Sequence, residues 1–282
     1  MSDSTTAPSV GYLAPTRQVR IGDLRKKKAT GEKWAMLTAY DYSTARALAD
    51  GGVECLLVGD SAANVVFGYN QTQQISLAEM IYIAAAVVRG AGNALVIADL
   101  PFGTYEASDE QAVLSASEMM RRSGAAMVKI EGGVRIAPRI RALVNAGIPV
   151  CAHVGFTPQS VNALSGFKVQ GRGEGAEQLR RDARAVAEAG AHSVVLEMVP
   201  AELAKEITAE LPIPTCGIGA GKDCDGQVLV WHDAFAVPSD GRRPSFAAVF
   251  GEVGELLENG ARDYVAQVES RDFPPVDKDF KG

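Results

Sequence analysis

The sequence predicts an α/β fold, a closed TIM (β/α)8 barrel of parallel strands with one helix ahead of it. From Trp34 onward, apolar runs of four to seven residues alternate with longer amphipathic segments, which is typical of repeated βα units. A chain of 282 residues with 47% hydrophobic content suits one such domain over residues 1–282. Eight runs favour a closed barrel over an open sheet. The predicted strands are 35–39, 55–59, 95–99, 127–131, 149–153, 193–197, 215–218 and 228–231.

Helix signals occur before the first strand and between the strands. Residues 1–17 are polar and interrupted by Pro and Gly, so we expect a flexible N-terminal arm there. Ser76 and Glu79 have the spacing of a capping box, which predicts that a helix begins beside them. The predicted helices are 22–30, 80–88 after the capping box, 177–188, and one that begins at Pro200.

Two connections depart from a regular repeat. A polar, glycine-bearing insertion, 64–74, lies between the second and third strands. The connection 219–227 between the last two strands is too short for a full crossover helix. Irregular loops at the site end of a scaffold are where functional residues often lie.

Composition argues against several kinds of partner. The net charge of −6 disfavours nucleic acid, and the short basic run 25–28 suits one solvated helix face. No apolar stretch reaches the roughly 18 residues of a membrane span and no signal-peptide pattern is present, so we expect a cytoplasmic protein with no membrane partner. Disulfides and a zinc site are not expected, because no C-x-x-C spacing occurs among Cys55, Cys151, Cys216 and Cys224.

Acidic side chains stand at the ends of four predicted strands. In the fourth strand Lys129 and Glu131 project to the same face, because residues two apart in a strand share a face. Alone, this pair suits a structural ion pair equally well. Asp60, Asp99 and Glu197 end three other strands, and packing does not readily explain four carboxylates in such places. The pattern therefore favours a functional site at the carboxyl end of the barrel.

Three of these carboxylates suit a divalent metal ion. Asp60, Asp99 and Glu131 are hard oxygen ligands on separate strands, which is the donor set that Mg²⁺ prefers. The absence of histidine from this set disfavours zinc. Similar oxygen sites also accept Mn²⁺ or Co²⁺, so the pattern does not rank these ions.

The remaining charged groups have candidate roles and structural alternatives. Lys129 suits electrostatic stabilisation of a substrate carboxylate or enolate better than a Schiff base, because nearby carboxylates favour its charged form. Glu197 suits a general base, or else a cap on the next helix. His153 suits a hydrogen bond to a substrate oxygen, or else a structural role. The glycines of 217–221 suit a tight turn, with phosphate binding as the weaker interpretation.

Several short motifs occur in order over most of the chain, and together they are highly specific. They are Val58-Gly-Asp-Ser61, Ala98-Asp-Leu-Pro-Phe102, Val128-Lys-Ile-Glu-Gly-Gly133, Ala152-His-Val-Gly155 with Thr157-Pro158, Leu196-Glu197, Gly217-Ile-Gly-Ala-Gly221, Cys224-Asp-Gly-Gln227 and Trp231-His-Asp233. In these motifs the chain resembles the ketopantoate hydroxymethyltransferase family. Residues 237–250 depart from the family pattern, so no folate-contacting residues are assigned.

The resemblance implies an activity and a set of site residues. The family moves a one-carbon unit from 5,10-methylenetetrahydrofolate to 3-methyl-2-oxobutanoate, giving 2-dehydropantoate for pantothenate and coenzyme A synthesis. It is Mg²⁺-dependent, folds as a (β/α)8 barrel and commonly assembles as a homodecamer, a pentamer of dimers. Its residues fall on Asp60, Asp99 and Glu131 as metal ligands, on Asp60, Ser61, Asp99 and Lys129 as keto-acid contacts, on Glu197 as proton acceptor and on His153 as a supporting group.

Two rival hypotheses remain. One is another Mg²⁺-dependent keto-acid or enolate barrel, like those that act on phosphoenolpyruvate and isocitrate, but the Lys-x-Cys-Gly loop common in those enzymes does not occur in this sequence. The other is a binding or assembly barrel that has lost catalysis, which the complete set of acidic and basic groups disfavours.

Overall fold

The computed structural model describes residues 17–237 and 243–275, and its eight strands close into a parallel barrel in sequence order. The predicted fold class is confirmed. The predicted N-terminal arm lies outside the described residues, apart from Arg17. The strands are β1 Trp34–Thr38, β2 Cys55–Val58, β3 Leu95–Asp99, β4 Met127–Glu131, β5 Val150–Gly155, β6 Ser193–Glu197, β7 Thr215–Ile218 and β8 Gly226–Leu229.

All eight strands lie within two residues of their predicted bounds at each end, and β8 is the strand displaced by two residues at both ends. β8 starts at Gly226, which pairs with Trp34 across the closing seam of the barrel. A Cβ at Gly226 would lie 2.4 Å from the Trp34 ring, so glycine permits this close approach. Trp231 begins a short helix instead of ending the strand, and its backbone N–H donates to Thr38 Oγ1 at 2.9 Å.

The helices surround the barrel and confirm the predicted helix signals. Ser76 caps its helix as expected, since its N–H donates to Glu79 Oε2 at 2.7 Å and Glu79 N–H donates to Ser76 Oγ at 3.3 Å. The helices are α1 Ile21–Thr30, α2 Tyr42–Asp50, α3 Ala62–Val65, α4 Leu77–Gly90, α5 Asp109–Ser123, α6 Ala137–Asn145, α7 Gly175–Glu188, α8 Ala201–Glu210, α9 Trp231–Ala234 and α10 Val253–Ser270, with 3-10 turns at Thr72–Gln74 and Pro158–Ser160.

The barrel interior is packed, and its amino-terminal end is closed by α1. Leu24 of α1 is buried in the interior cluster beside Trp34 and Met36. All four cysteines are buried and free, as expected for thiols that pack as small apolar groups. Because the interior is filled from this end, we expect the site for chemistry at the carboxyl ends of the strands.

The last helix, α10, is amphipathic and exposes its apolar side chains. Leu256, Tyr264 and Val268 recur at helical spacing and therefore form one apolar face of α10. That face is not covered within the chain, since Leu256 is 70% exposed and Tyr264 is 56% exposed. Within residues 17–237 and 243–275, no helix combines the length and the apolar character that crossing a bilayer would require.

His232 in α9 is a buried histidine whose burial should make stability depend on pH. It is 8% exposed, its ring lies against Tyr40 and Trp231, and burial lowers its pKa to about 4. The unfolded chain, with a histidine pKa near 6.5, therefore takes up this proton first as the pH falls. The stabilisation is fully present above about pH 6.5 and is lost as the pH falls toward 4.

We therefore expect the free energy of unfolding to decrease more in the wild type than in His232→Asn between pH 7 and about pH 4.5. The expected difference is about 2 kcal/mol. Urea denaturation of both proteins at the two pH values measures it. Equal decreases in the two proteins would show that His232 is not held in its neutral form.

Candidate active site

The predicted site residues all lie at the carboxyl end of the barrel, on five adjacent strands. Asp60 follows β2 by two residues, Asp99 ends β3, Glu131 ends β4, His153 lies in β5 and Glu197 ends β6. Neighbouring parallel strands end at the same edge, so this order brings the side chains together. Asp60, Asp99, Glu131 and His153 are buried, whereas Glu197 and Ser61 are partly exposed. Ser61 follows Asp60 at the start of α3, where its Oγ lies 2.8 Å from the Tyr40 hydroxyl.

Lys129 lies at the centre of this cluster. Its Nζ lies 3.1 Å from Asp99 Oδ1, 3.7 Å from Glu131 Oε1 and 3.2 Å from His153 Nδ1. Burial works against the charged ammonium, but attraction by Asp99, Glu131 and Asp60 outweighs it and raises the pKa of Lys129. The raised pKa favours the charged ammonium, which disfavours a Schiff-base role because that chemistry needs the neutral amine.

His153 bridges the buried carboxylates and Glu197. Its Nδ1 lies 3.4 Å from Glu131 Oε1, and its Nε2 lies 3.2 Å from Glu197 Oε2. Burial and Lys129 oppose protonation, but the contacts with Glu131 and Glu197 outweigh them and raise the pKa of His153 to about 9. Within the described residues its Nε2 has no aligned hydrogen-bond partner, so the contact with Glu197 is ionic. The Glu197 side chain keeps 16% of its surface exposed and is the most accessible of the charged groups.

The Asp60 and Asp99 carboxyl groups repel one another in a buried environment. Burial and the negative charges of Asp99 and Glu131 raise the pKa of Asp60 to about 8. Burial also raises the pKa of Asp99, although Lys129 opposes this. By contrast, the contacts of Glu131 with His153 and Lys129 outweigh its burial and lower its pKa. The acidic groups at this end of the barrel outnumber the two basic groups, Lys129 and His153. The site would therefore attract a further cation.

The donor chemistry at these strand ends fits a divalent metal ion. Asp99 Oδ1 and Glu131 Oε1 are buried and, in the part of the chain that the structure describes, have no aligned hydrogen-bond partner. Their nearest cationic groups are Lys129 Nζ, 3.1 Å from Asp99 Oδ1, and His153 Nδ1, 3.4 Å from Glu131 Oε1, so a divalent cation would add to these ion pairs. The side chains are not arranged as a preformed metal site, however. No group of three His, Cys, Asp or Glu residues in the described ranges has metal-binding geometry.

Three uncharged residues belong to the site and were missed from the sequence. Tyr40 follows β1 and pairs with Ser61, Tyr105 lies in the loop after β3, and Gln159 lies in the 3-10 turn after β5. Gln159 Nε2 donates to Asp60 Oδ2 at 2.8 Å, and its backbone N–H donates to Glu131 Oε2 at 3.0 Å. The adjoining Thr157-Pro158 motif was the available signal, because it placed an ordered turn beside the strand that carries His153.

The glycines after β7 form a tight turn, as the primary interpretation expected. Gly219 and Gly221 have φ values of 59° and 78°, a conformation that favours glycine. A Cβ at Gly219 would also lie 2.9 Å from the Phe246 ring. Gln227 Nε2 donates to the carbonyl of Gly221 at 2.9 Å and closes the turn.

Known proteins resemble the chain at two levels. The family model described as ketopantoate hydroxymethyltransferase matches residues 18–276. The 3-methyl-2-oxobutanoate hydroxymethyltransferase of Corynebacterium jeikeium is 66% identical over 99% of both chains. That of Corynebacterium diphtheriae is 60% identical over 94% of this chain and all of the relative. The enzyme of Rhodococcus jostii is 55% identical over 98% of this chain and 94% of the relative.

Solved structures resemble the chain in fold alone. A putative phosphonomutase from Burkholderia cenocepacia superposes with a TM-score of 0.59 at 20% identity, covering 88% of this chain and 98% of that one. A 2,3-dimethylmalate lyase of the PEP mutase/isocitrate lyase superfamily superposes with a TM-score of 0.57 at 19% identity, covering 93% and 91%. The rival keto-acid barrels thus share the architecture.

A closed eight-stranded barrel with buried acidic and basic groups at the carboxyl ends of its strands defines a (β/α)8-barrel enzyme. Sequence identity then separates this chain from the other barrels of that class. The chain belongs to the ketopantoate hydroxymethyltransferase family, whose reaction transfers a hydroxymethyl group to 3-methyl-2-oxobutanoate in pantothenate biosynthesis. The predicted family and the predicted enzyme class are confirmed.

Proposed function

We propose that the strand-end cluster is the catalytic site, and that 5,10-methylenetetrahydrofolate donates the one-carbon unit to the keto acid there. One observation carries the proposal. The ammonium of Lys129 contacts Asp99, Glu131 and His153 in one buried cluster, and His153 in turn contacts Glu197. These groups come from four strands, and a purely structural ion pair would not require so many.

Asp60, Asp99 and Glu131 are the residues that would hold Mg²⁺. Their oxygen donors match its preference. Burial and then the repulsion by Asp99 and Glu131 raise the pKa of Asp60, and a divalent cation would relieve that repulsion. When bound, Mg²⁺ supplies Lewis-acid polarisation of the keto oxygen, which acidifies the neighbouring C–H bond.

Glu197 is proposed as the general base that removes the C3 proton of 3-methyl-2-oxobutanoate. It is the accessible carboxylate of the cluster, and it is not needed as one of the three metal ligands. The ionic contact of His153 Nε2 with Glu197 Oε2 positions the Glu197 carboxylate. No aligned hydrogen bond joins these two atoms, so the carboxylate can still accept a proton. Loss of the proton makes C3 the nucleophile that forms a C–C bond to the methylene carbon of the folate. One water supplies the hydroxyl oxygen, and the two C–N bonds of the methylene bridge break as tetrahydrofolate leaves with protons on both nitrogens.

Lys129 and Ser61 are proposed to bind the substrate. The Lys129 ammonium neutralises the carboxylate of the keto acid or the negative charge that develops on its oxygen. Ser61 Oγ hydrogen-bonds the bound acid, and the Tyr40 hydroxyl at 2.8 Å orients it. His153 carries its own positive charge into the same region and supports both functions.

We also propose that the chain is a single domain that assembles as a homo-oligomer, and specifically as a decamer. The exposed apolar side chains of α10 support assembly, because contact with another subunit would remove them from solvent. Light scattering on the purified protein measures the mass, and a monomer would refute the proposal. The cytoplasmic location and the absence of a nucleic-acid partner stay predictions.

Proton NMR of 3-methyl-2-oxobutanoate in D₂O tests the enolisation step directly. With the protein and Mg²⁺ present and the folate left out, we expect the C3 proton signal to disappear and EDTA to block the exchange. If no exchange occurs, the experiment is repeated with tetrahydrofolate, which tests closure of the site by the second substrate. No exchange under either condition would refute metal-assisted enolisation at this site.

A further inference from the structure

We propose that Gln159 is a positioning residue that holds the carboxylates of Asp60 and Glu131 in their binding orientation, with Tyr105 as its partner. The inference rests on the proposed function, because it assigns to Asp60 and Glu131 the role of metal ligands. It adds two uncharged residues from separate loops to a site otherwise defined by charges at strand ends.

One residue contacts both carboxylates through different atoms. Gln159 is 3% exposed in the turn Pro158–Ser160. Its side-chain Nε2 donates to Asp60 Oδ2 at 2.8 Å, and its backbone N–H donates to Glu131 Oε2 at 3.0 Å. The second oxygen of Glu131, Oε1, has no aligned hydrogen-bond partner within residues 17–237 and 243–275. Gln159 thus fixes one oxygen of Glu131, while the other lies in ionic contact with His153 Nδ1 at 3.4 Å and Lys129 Nζ at 3.7 Å.

The orientation of the Gln159 amide is determined by its other contacts. Its Nε2 also donates to the carbonyl of Leu100 at 3.0 Å, and its Oε1 accepts from the Tyr105 hydroxyl at 2.5 Å. The same Tyr105 oxygen accepts from the backbone N–H of Glu131 at 3.1 Å. Reversal of the amide would place Oε1 against Asp60 and Nε2 against Tyr105, losing these bonds. Tyr105 therefore ties the Gln159 amide to the backbone of a proposed ligand.

A neutral donor is the chemistry that this position requires. A carboxylate in place of the amide would put a further negative charge beside Asp60, whose neighbours Asp99 and Glu131 are already acidic. An apolar side chain would leave Asp60 Oδ2 and the Tyr105 hydroxyl without these partners in a buried region. Only an uncharged group of this length both donates to Asp60 and accepts from Tyr105.

The insertion after β2, residues 64–74, contacts the turn that carries Gln159. Gln73, in the 3-10 turn Thr72–Gln74 of that insertion, donates from its Nε2 to the backbone carbonyl of Gln159 at 2.5 Å. Asn162 Nδ2 donates to Gln73 Oε1 at 3.2 Å. The irregular segment 64–74 thus braces the turn that carries Gln159.

Electron paramagnetic resonance of Mn²⁺, used in place of Mg²⁺, tests the proposal by a measurement other than activity. With 3-methyl-2-oxobutanoate present, we expect Gln159→Leu to raise the Mn²⁺ dissociation constant by about 10- to 100-fold. The exposed glutamine Gln178 gives a matched control, because Gln178→Leu should bind Mn²⁺ as the wild type does. The melting temperature of each metal-free variant shows whether its fold is retained.

Tyr105→Phe supplies a second variant that keeps the ring and removes the hydroxyl. It should weaken Mn²⁺ binding, and the double variant Tyr105→Phe/Gln159→Leu should lose less than the product of the two single effects. A purely structural role would lower the melting temperature without changing Mn²⁺ affinity or the KM for the keto acid.

The outcomes separate this inference from the proposed function. If the wild type does not bind Mn²⁺ with the keto acid, the proposed metal site is wrong. If the wild type binds it, and a folded Gln159→Leu or Tyr105→Phe binds it equally well, the positioning role is overturned. If Gln159→Leu does not fold, the folded Tyr105→Phe decides the question by the same criterion.

Discussion

Glu197→Gln is expected to lower the rate of C3 proton exchange of 3-methyl-2-oxobutanoate by about 10²- to 10⁴-fold, the usual contribution of a positioned general base. The amide has the shape of the carboxylate but does not accept the proton. It keeps an oxygen that can face His153 Nε2, which lies 3.2 Å from Glu197 Oε2 in the wild type. Binding of Mg²⁺ and of the keto acid should therefore stay within about threefold of the wild type.

Proton NMR in D₂O measures the exchange, and calorimetry of the keto acid with Mg²⁺ measures the binding. Glu202→Gln is the matched control, because Glu202 is an exposed glutamate at the start of α8 with a side chain 85% exposed. It should exchange the proton at the wild-type rate. Weak keto-acid binding in Glu197→Gln, with turnover little changed, would show that Glu197 binds substrate and is not the base.

Asp99→Ala is expected to abolish Mg²⁺-dependent binding of the keto acid. Loss of groups around metal ligands commonly costs 10- to 100-fold in affinity, so removal of a proposed ligand should cost at least about 100-fold. The variant also leaves Lys129, which lies 3.1 Å from Asp99 Oδ1, without its nearest carboxylate. The backbone N–H of Asp60 loses its acceptor, Asp99 Oδ2 at 3.0 Å. We therefore expect a loss of about 3 kcal/mol in the stability of the metal-free protein.

Calorimetry with and without Mg²⁺ measures the linked affinity, and urea denaturation measures the stability. Asp99→Asn separates loss of the negative charge from loss of the hydrogen-bond acceptor. The amide oxygen can still accept from Asp60 N–H, whereas the charge is removed. Asp50→Ala, at an exposed aspartate paired with Arg46, controls for loss of a surface charge. An Asp99→Ala protein that folds and keeps its Mg²⁺-linked affinity would show that Asp99 is not a ligand.

The local pattern of the sequence was sufficient for most of the fold. Strands β3, β4, β6 and β7 have the bounds that their apolar runs predicted, because each run is bounded by residues that end strands. β8 was displaced because Gly226 and Gln227 lack the apolar character of a strand. Their strand conformation depends on pairing with Trp34 and Ala35 across the barrel seam, and a local pattern does not contain that contact.

The charged part of the candidate site was also predictable, whereas its uncharged part was not. Asp60, Asp99, Glu131 and Glu197 stand out in sequence because a charge at the end of an apolar run is unusual. Gln159 and Tyr105 do not stand out, since a glutamine or a tyrosine in a loop is ordinary. Their relevance arises from contacts such as that between Gln159 and Asp60, which are 99 positions apart.

The sequence by itself determined the barrel, the family motifs and the acidic and basic groups at the strand ends. The physical reason is that strand period, charge and motif order are properties of short segments. Only the tertiary structure decided that Lys129 and His153 link the carboxylates, that Glu197 stays accessible and that Gln159 holds Asp60 and Glu131. Those relations depend on closure of the barrel, which places the ends of distant segments a few ångströms apart.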